Sequence, residues 1–146
     1  MDKHCKIFIV DDEILFADAL TTILNLEEDM EVIGSASNGL EALEQMSECL
    51  PDVVLTDIQM PLMNGIQLIK EVKERFPQLI VLILTTFNEE KYIVEGLAYG
   101  ASGYLLKGEN YKELAQSIRD TKEGRSVLPT EATEKLTHYL SKHNKK

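Results

Sequence analysis

Five short apolar runs alternate along this chain with longer stretches whose apolar residues recur every three or four positions. A strand-like period giving way to a helical one marks βα units, and repeated units of that kind build a parallel sheet covered by helices. The runs are Lys6–Val10, Glu31–Ala36, Val53–Thr56, Leu79–Leu84 and Gly103–Leu106. Three of them are apolar on both faces, as central parallel strands must be; Glu31–Ala36 is more mixed and suits an edge.

The segments between carry helix start signals and one apolar stripe each. Leu15, Ala19, Thr22, Ile23 and Leu26 recur at helical spacing, and Ile66, Ile69, Val72 and Phe76 form another stripe. Asn38 with Glu41 and Asn110 with Glu113 each fit a capping box. A helix over Glu89–Ala98 is weaker, since Gly96 lowers helix propensity by about 1 kcal/mol relative to Ala. The last helix runs from Tyr111 to Glu123, with Leu114, Ala115 and Ile118 inward, and stops at Gly124. A (βα)5 order with right-handed crossovers yields an α/β fold: a doubly wound, flavodoxin-like sheet of five parallel strands, for which 2-1-3-4-5 is the common order.

Residues 1–124 therefore read as one domain. Past Gly124 the pattern restarts: Pro129-Thr130 punctuates, and Ala132, Leu136, Tyr139 and Leu140 give one apolar face to a short helix, Thr130–Ser141, in a linker covering residues 125–146. Charge divides at the same place. The whole chain carries a net charge of −10; residues 125–146 hold five basic and two acidic side chains, +3, which leaves −13 for residues 1–124. A domain so acidic is a poor partner for nucleic acid or anionic lipid and a good one for cations and basic surfaces.

The hydrophobic run Ile7–Val10 is too short for a secretory signal or a membrane span, so the chain is expected to be cytoplasmic. Cys5 and Cys49 share no short spacing, which argues for reduced thiols rather than a redox pair or zinc site. His4, His138 and His143 lie near the termini and read as solvated side chains.

In an open parallel sheet, ligands bind outside the carboxyl ends of the strands. There this sequence places Asp11-Asp12-Glu13 after the first strand, Asp57 after the third, Thr85-Thr86 after the fourth and Lys107 after the fifth. Each has an ordinary structural reading. Acids after a strand suit a helix N-terminus, Asp57 suits a cap, Thr85 suits a strand end and Lys107 a solvated turn. Their meeting at one edge points elsewhere. Converging carboxylates repel one another unless a cation or a proton is shared, and oxygen ligands without His or Cys select a hard ion, magnesium first. Magnesium implies phosphate chemistry. A carboxylate can be the nucleophile in phosphoryl transfer, giving an acyl phosphate, if Mg2+ and an ammonium such as Lys107 neutralise the transferring oxygens.

These residues also match a family. The chain resembles the receiver domain of response regulators of bacterial two-component systems, from Lys6 to about Gly124. The resemblance is carried by Ile9-Val10-Asp11-Asp12-Glu13, by Pro51 through Pro61 with Asn64-Gly65, by Leu84-Thr85-Thr86, and by Gly100 through Lys107. It implies that Asp57 accepts a phosphoryl group from a phosphohistidine on a sensor histidine kinase. Asp11, Asp12, Asp57 and the backbone carbonyl of Gln59 would hold Mg2+, with Asp12 binding directly and Asp11 mainly through water. Lys107 and Thr85 would contact the phosphoryl oxygens, and Gln59 and Phe87 would flank the path of attacking water. Thr85 and Tyr104 would form the switch, although Tyr104 also reads simply as an edge-strand aromatic packed on a helix.

One departure stands out. Gly108 follows Lys107 where receivers often have proline in a cis peptide, so a trans bond and a more pliable loop are expected. That ending, with Thr85-Thr86-Phe87 and the run from Tyr99 to Lys107, is most similar to regulators of the LuxR/NarL type, whose output is a helix-turn-helix. The resemblance implies a homodimer on phosphorylation and contact with DNA only through a C-terminal LuxR-type domain, which residues 142–146 are too few to form. Three competing readings fit less well. A flavodoxin-type cofactor binder would set phosphate against Asp11-Asp12-Glu13 without a metal. A haloacid-dehalogenase-like phosphatase needs a second Asp where Gln59 stands. An interaction module that works without phosphorylation leaves the acidic pair, Asp57, Thr85 and Lys107 unexplained.

Overall fold

A computed structural model describes residues 5–86, 90–108 and 110–124. The expectations for His4, Phe87, Glu89, the linker over residues 125–146 with its helix Thr130–Ser141, His138 and His143 lie outside the described residues. The elements run β1 Cys5–Val10, α1 Ile14–Leu24, β2 Met30–Ala36, α2 Gly39–Glu48, β3 Val53–Thr56, α3 Gly65–Arg75, β4 Ile80–Thr85, α4 Glu90–Ala98, β5 Gly103–Leu106 and α5 Tyr111–Lys122. All four strand pairings are parallel, in the order β2-β1-β3-β4-β5. This is the expected doubly wound sheet, with the mixed strand β2 at an edge.

Period-two alternation explains why the central strands are apolar throughout. Phe8, Val10, Val54, Val81, Ile83 and Tyr104 face one layer of helices, α2, α3 and α4. Ile7, Ile9, Val53, Leu55, Leu82, Leu84 and Leu105 face α1 and α5. Leu114, Ala115 and Ile118 fill the second layer as the α5 stripe requires, and Ile66, Ile69 and Val72 fill the first.

Helix α1 forms where expected but turns a different face inward. Ala17, Leu20 and Leu24 are buried, while Leu15 is 86% and Leu26 77% exposed. The segment Ile14–Leu24 carries apolar residues on more than one side, so spacing alone permits two phases, and the direction in which the chain leaves β1 decides between them. The caps also differ in detail. Asn38 accepts from the Glu41 backbone N–H, but the Glu41 carboxylate accepts from Ser37 rather than closing a box on Asn38. Asn110 caps Lys112 N–H instead of that of Glu113. A complete capping box lies at Asn64 and Gln67, ahead of α3.

Gly96, read from sequence as a weak point, has a packing reason. A Cβ there would lie 2.5 Å from Ile83 Cδ1, so glycine lets α4 approach β4 closely. Far from the strands' carboxyl ends, Arg119 on α5 is bidentate to Asp29 and also reaches Glu27, fastening α5 to the loop before β2. Among the described residues no helix is long and apolar enough to cross a membrane.

Candidate functional site

Each strand end hands over its polar residue by extending the ladder one step. Asp11 N–H donates to the Ala36 carbonyl, Asp57 N–H to Val10 and Lys107 N–H to Thr85, at 2.8–2.9 Å. Because Val10 pairs with Thr56, Asp11 and Asp57 come out level at the boundary between β1 and β3, where the strand order reverses. That reversal is where a doubly wound sheet opens a crevice. Alternation then carries Asp11, Asp57 and Lys107 to the α1 and α5 side.

Glycine makes the β3 end possible. A Cβ on Gly65 would lie 1.9 Å from the Asp57 carbonyl oxygen, and Gly65 N–H donates to the Ile58 carbonyl at 2.7 Å. The first turn of α3 is thereby pressed against the backbone that carries Asp57. Asp57 is further fixed by Ile58 N–H, which donates to its Oδ1 at 2.7 Å, leaving Oδ2 directed to the site.

Asp11, Asp12 and Asp57 offer carboxylate oxygens that all lie within 4.8 Å of one another. Lys107 Nζ stands among the acids: 2.9 Å from Asp57 Oδ2, 2.7 Å from Asp11 Oδ2, and in contact with Glu13. Its approach to Asp11 Oδ2 is an ion pair at an angle poor for hydrogen bonding, so this buried oxygen has no hydrogen bond. Burial raises the Asp11 carboxyl above its usual range, and the attraction of the Lys107 ammonium and the hydrogen bond from the Glu13 backbone offset only part of that. Burial works against the Lys107 ammonium, but its ion pair with Asp11 and its hydrogen bonds to Glu13 and Asp57 outweigh it and push the pKa up. The Phe16 ring closes the other side, 4.8 Å from Nζ.

A hard divalent cation fits this donor set. Three oxygens converge, one of them buried and short of a hydrogen bond, and one ammonium cannot neutralise so many carboxylates. Asp12 is exposed, so the site has an open side through which an ion and an anionic substrate can enter.

The structure thus gathers Asp11, Asp12, Asp57 and Lys107. Gln59 lies two residues beyond Asp57, exposed. Thr85 is buried at the end of β4, and Tyr104 is buried on β5 within the α2, α3 and α4 layer, the packing place its ring would occupy in any case. Ile83 pairs with Tyr104 and Thr85 with Leu106, so Thr85 and Tyr104 share one face, a single step apart. The Lys107–Gly108 peptide is trans, as expected, and a Cβ at Gly108 would meet nothing within 4 Å. Two neighbours were not legible as partners of Lys107. In the sequence Glu13 is one of three clustered acids and Phe16 carries no signal of its own, though the i, i+3 spacing of the α1 N-cap and Phe16 places both on one side of the site.

Residues 7–119 match the response regulator receiver domain family. The chain is similar to the transcriptional regulatory protein LnrK of Bacillus subtilis, at 40% identity over 131 residues, 90% of this chain and 60% of that protein. It is similar to the response regulator protein VraR of Staphylococcus aureus, at 33% identity over 137 residues, 94% of this chain and 66% of that protein. It thus spans less than two thirds of the length of either relative. Among solved structures it resembles the signal receiver domain of the putative response regulator NarL from Mycobacterium tuberculosis, with a TM-score of 0.79 and 32% identity, covering 84% of this chain and 99% of that one.

Proposed function

We infer the function from the premise that this chain belongs to the response regulator receiver domain family of two-component signalling. We propose that it is a phosphorylation-activated switch: Asp57 accepts a phosphoryl group from a phosphohistidine on a sensor histidine kinase. An Asp57 carboxylate oxygen forms the new P–O bond as the P–N bond to histidine breaks, and the imidazole leaves with the electron pair. The observation that carries this reading is Lys107 Nζ at 2.9 Å from Asp57 Oδ2, inside a cluster of three aspartates at the strand-order reversal.

In this reading Asp11, Asp12, Asp57 and the Gln59 carbonyl hold Mg2+, which supplies positive charge to the transferring oxygens. Lys107 supplies a second positive charge from the other side, and the Thr85 hydroxyl hydrogen-bonds the attached group. The Asp57 carboxylate, oriented by Ile58 N–H, is itself the nucleophile and needs no general base. Thr85 and Tyr104, on one face and a step apart, form the route by which the phosphoryl group repacks the α4 and β5 surface. The changed surface favours a homodimer and controls transcription, with DNA bound by a C-terminal LuxR-type domain rather than by this acidic one; the name of LnrK as a transcriptional regulatory protein supports that output. Self-catalysed phosphorylation and slow dephosphorylation would be the chain's only enzymatic activities, in the cytoplasm.

The test is incubation with Mg2+ and acetyl phosphate, followed by intact mass. One phosphoryl group should add to the chain and none to Asp57→Asn. An unchanged mass, or an adduct that persists in Asp57→Asn, would overturn the proposal.

A further inference from the structure

Glu13 is the N-cap residue of α1, yet its side chain makes no bond to the helix it caps, and the first turn holds no other acid. Ser, Thr, Asp and Asn are the preferred residues there, because a short side chain reaches the free N–H groups of the first turn. Capping therefore does not account for Glu13. Its carboxylate turns to Lys107 Nζ, which Asp11 and Asp57 also hold. The three acids differ in freedom: the Asp11 side chain is 1% exposed and that of Asp57 15%, whereas that of Glu13 is 59% exposed. Of the three, Glu13 can swing into water without moving a strand.

We propose that Glu13 is a positioning residue acting through Lys107: it holds the ammonium beside Asp57 while the site is empty and yields it when a phosphoryl group arrives. This rests on the reading of Asp57 as phosphoryl acceptor. Asp11, Asp12, Glu13 and Asp57 set four carboxylates against the single ammonium of Lys107, and an incoming acyl phosphate adds more negative charge. Glu13 and the incoming group compete for the same ammonium. As Asp57 attacks phosphorus, the donor's P–O bond breaks, acetate leaves with the electron pair, and Lys107 must be free to face the transferred oxygens.

Two measurements on the full chain test this. With Mg2+ and acetyl phosphate, Glu13→Gln should be phosphorylated about fivefold faster than wild type, the rate equivalent of the roughly 1 kcal/mol that one unit charge contributes at about 4 Å in water, into which the 59% exposed Glu13 side chain reaches. Asp18→Asn, an exposed acid further along α1, should match wild type. The gain should survive about 1 M salt, where the Debye length is roughly 3 Å, because charges in contact around the buried Lys107 ammonium are screened far less than exposed charges further apart. In chelator without metal, Glu13→Gln should leave the unfolding midpoint unchanged or lower it while Lys107 is present, and raise it in Lys107→Met, where Glu13 becomes an uncompensated acid. No gain in rate, an equal gain in Asp18→Asn, loss of the gain in salt, or the same midpoint shift in both backgrounds would overturn the proposal. If wild type accepts no phosphoryl group while the midpoints still couple Glu13 to Lys107, the acceptor reading has failed and this role falls with it, though the contact stands.

Discussion

Lys107 Nζ lies 2.9 Å from Asp57 Oδ2, although 50 residues separate the two in the chain. The meeting follows from topology: β4 lies between β3 and β5, and all three strands end at one edge of the sheet. It is also incomplete as charge compensation, because Asp11 and Asp12 crowd the same place.

Metal should relieve that crowding. Mg2+ at a hundred times its Kd should stabilise the fold by about 2.7 kcal/mol, read as a raised unfolding midpoint in calorimetry. Asp12→Asn should raise the metal-free midpoint, since one repelling charge is gone, and shrink the response to Mg2+. A midpoint indifferent to Mg2+ would remove the ion from the account.

The inward face of α1 can be tested by truncation. Leu20 is fully buried and Leu15 86% exposed, so Leu20→Ala should cost about 2–5 kcal/mol in urea unfolding and Leu15→Ala less than about 0.5 kcal/mol. The reverse ranking would restore the face that spacing alone suggested.

That helix shows where the sequence was legible and where it was not. Strands β3 and β5 are bounded as their apolar runs predict, and the order follows from the βα alternation, because both depend on local period and on handedness rules. Helix phase in Ile14–Leu24 depends on which apolar side meets the sheet, a tertiary choice that spacing does not carry. The site divides in the same way. Asp11, Asp57 and Lys107 were findable because strand ends converge, whereas the turn of Glu13 toward Lys107 depends on a side chain that local rules would have sent to its own helix.

Two glycines should respond differently to alanine. At Gly65 the added Cβ meets backbone, 1.9 Å from the Asp57 carbonyl, so Gly65→Ala should cost about 1–3 kcal/mol and slow phosphorylation by displacing Asp57. At Gly96 the obstacle is the end of the Ile83 side chain, which can turn, and alanine regains about 1 kcal/mol of helix propensity, so the net change should stay within about 1 kcal/mol. Paired urea unfolding and phosphorylation rates check both.

Cys5 gives a pH signature away from the site. Burial pushes its thiol from the ordinary 9.0 up to about 11, with Lys122 opposing. As pH rises from 9 toward 11 the unfolded chain loses that proton first, so the folded state holds more protons and stability falls; below 9 the contribution is intact. Cys5→Ala should lose less stability than wild type across that window. At pH 8 iodoacetamide should label exposed Cys49 well before buried Cys5, which peptide mass mapping resolves.

The most direct measurement locates the phosphoryl group. After incubation with Mg2+ and acetyl phosphate, borohydride reduction converts an aspartyl phosphate to homoserine, and peptide mass spectrometry reads the position. Conversion at Asp57 alone, absent when either Mg2+ or the donor is omitted, is the result predicted. Conversion at Asp11, Asp12 or another acid with Asp57 intact, or none at any residue, would contradict the account.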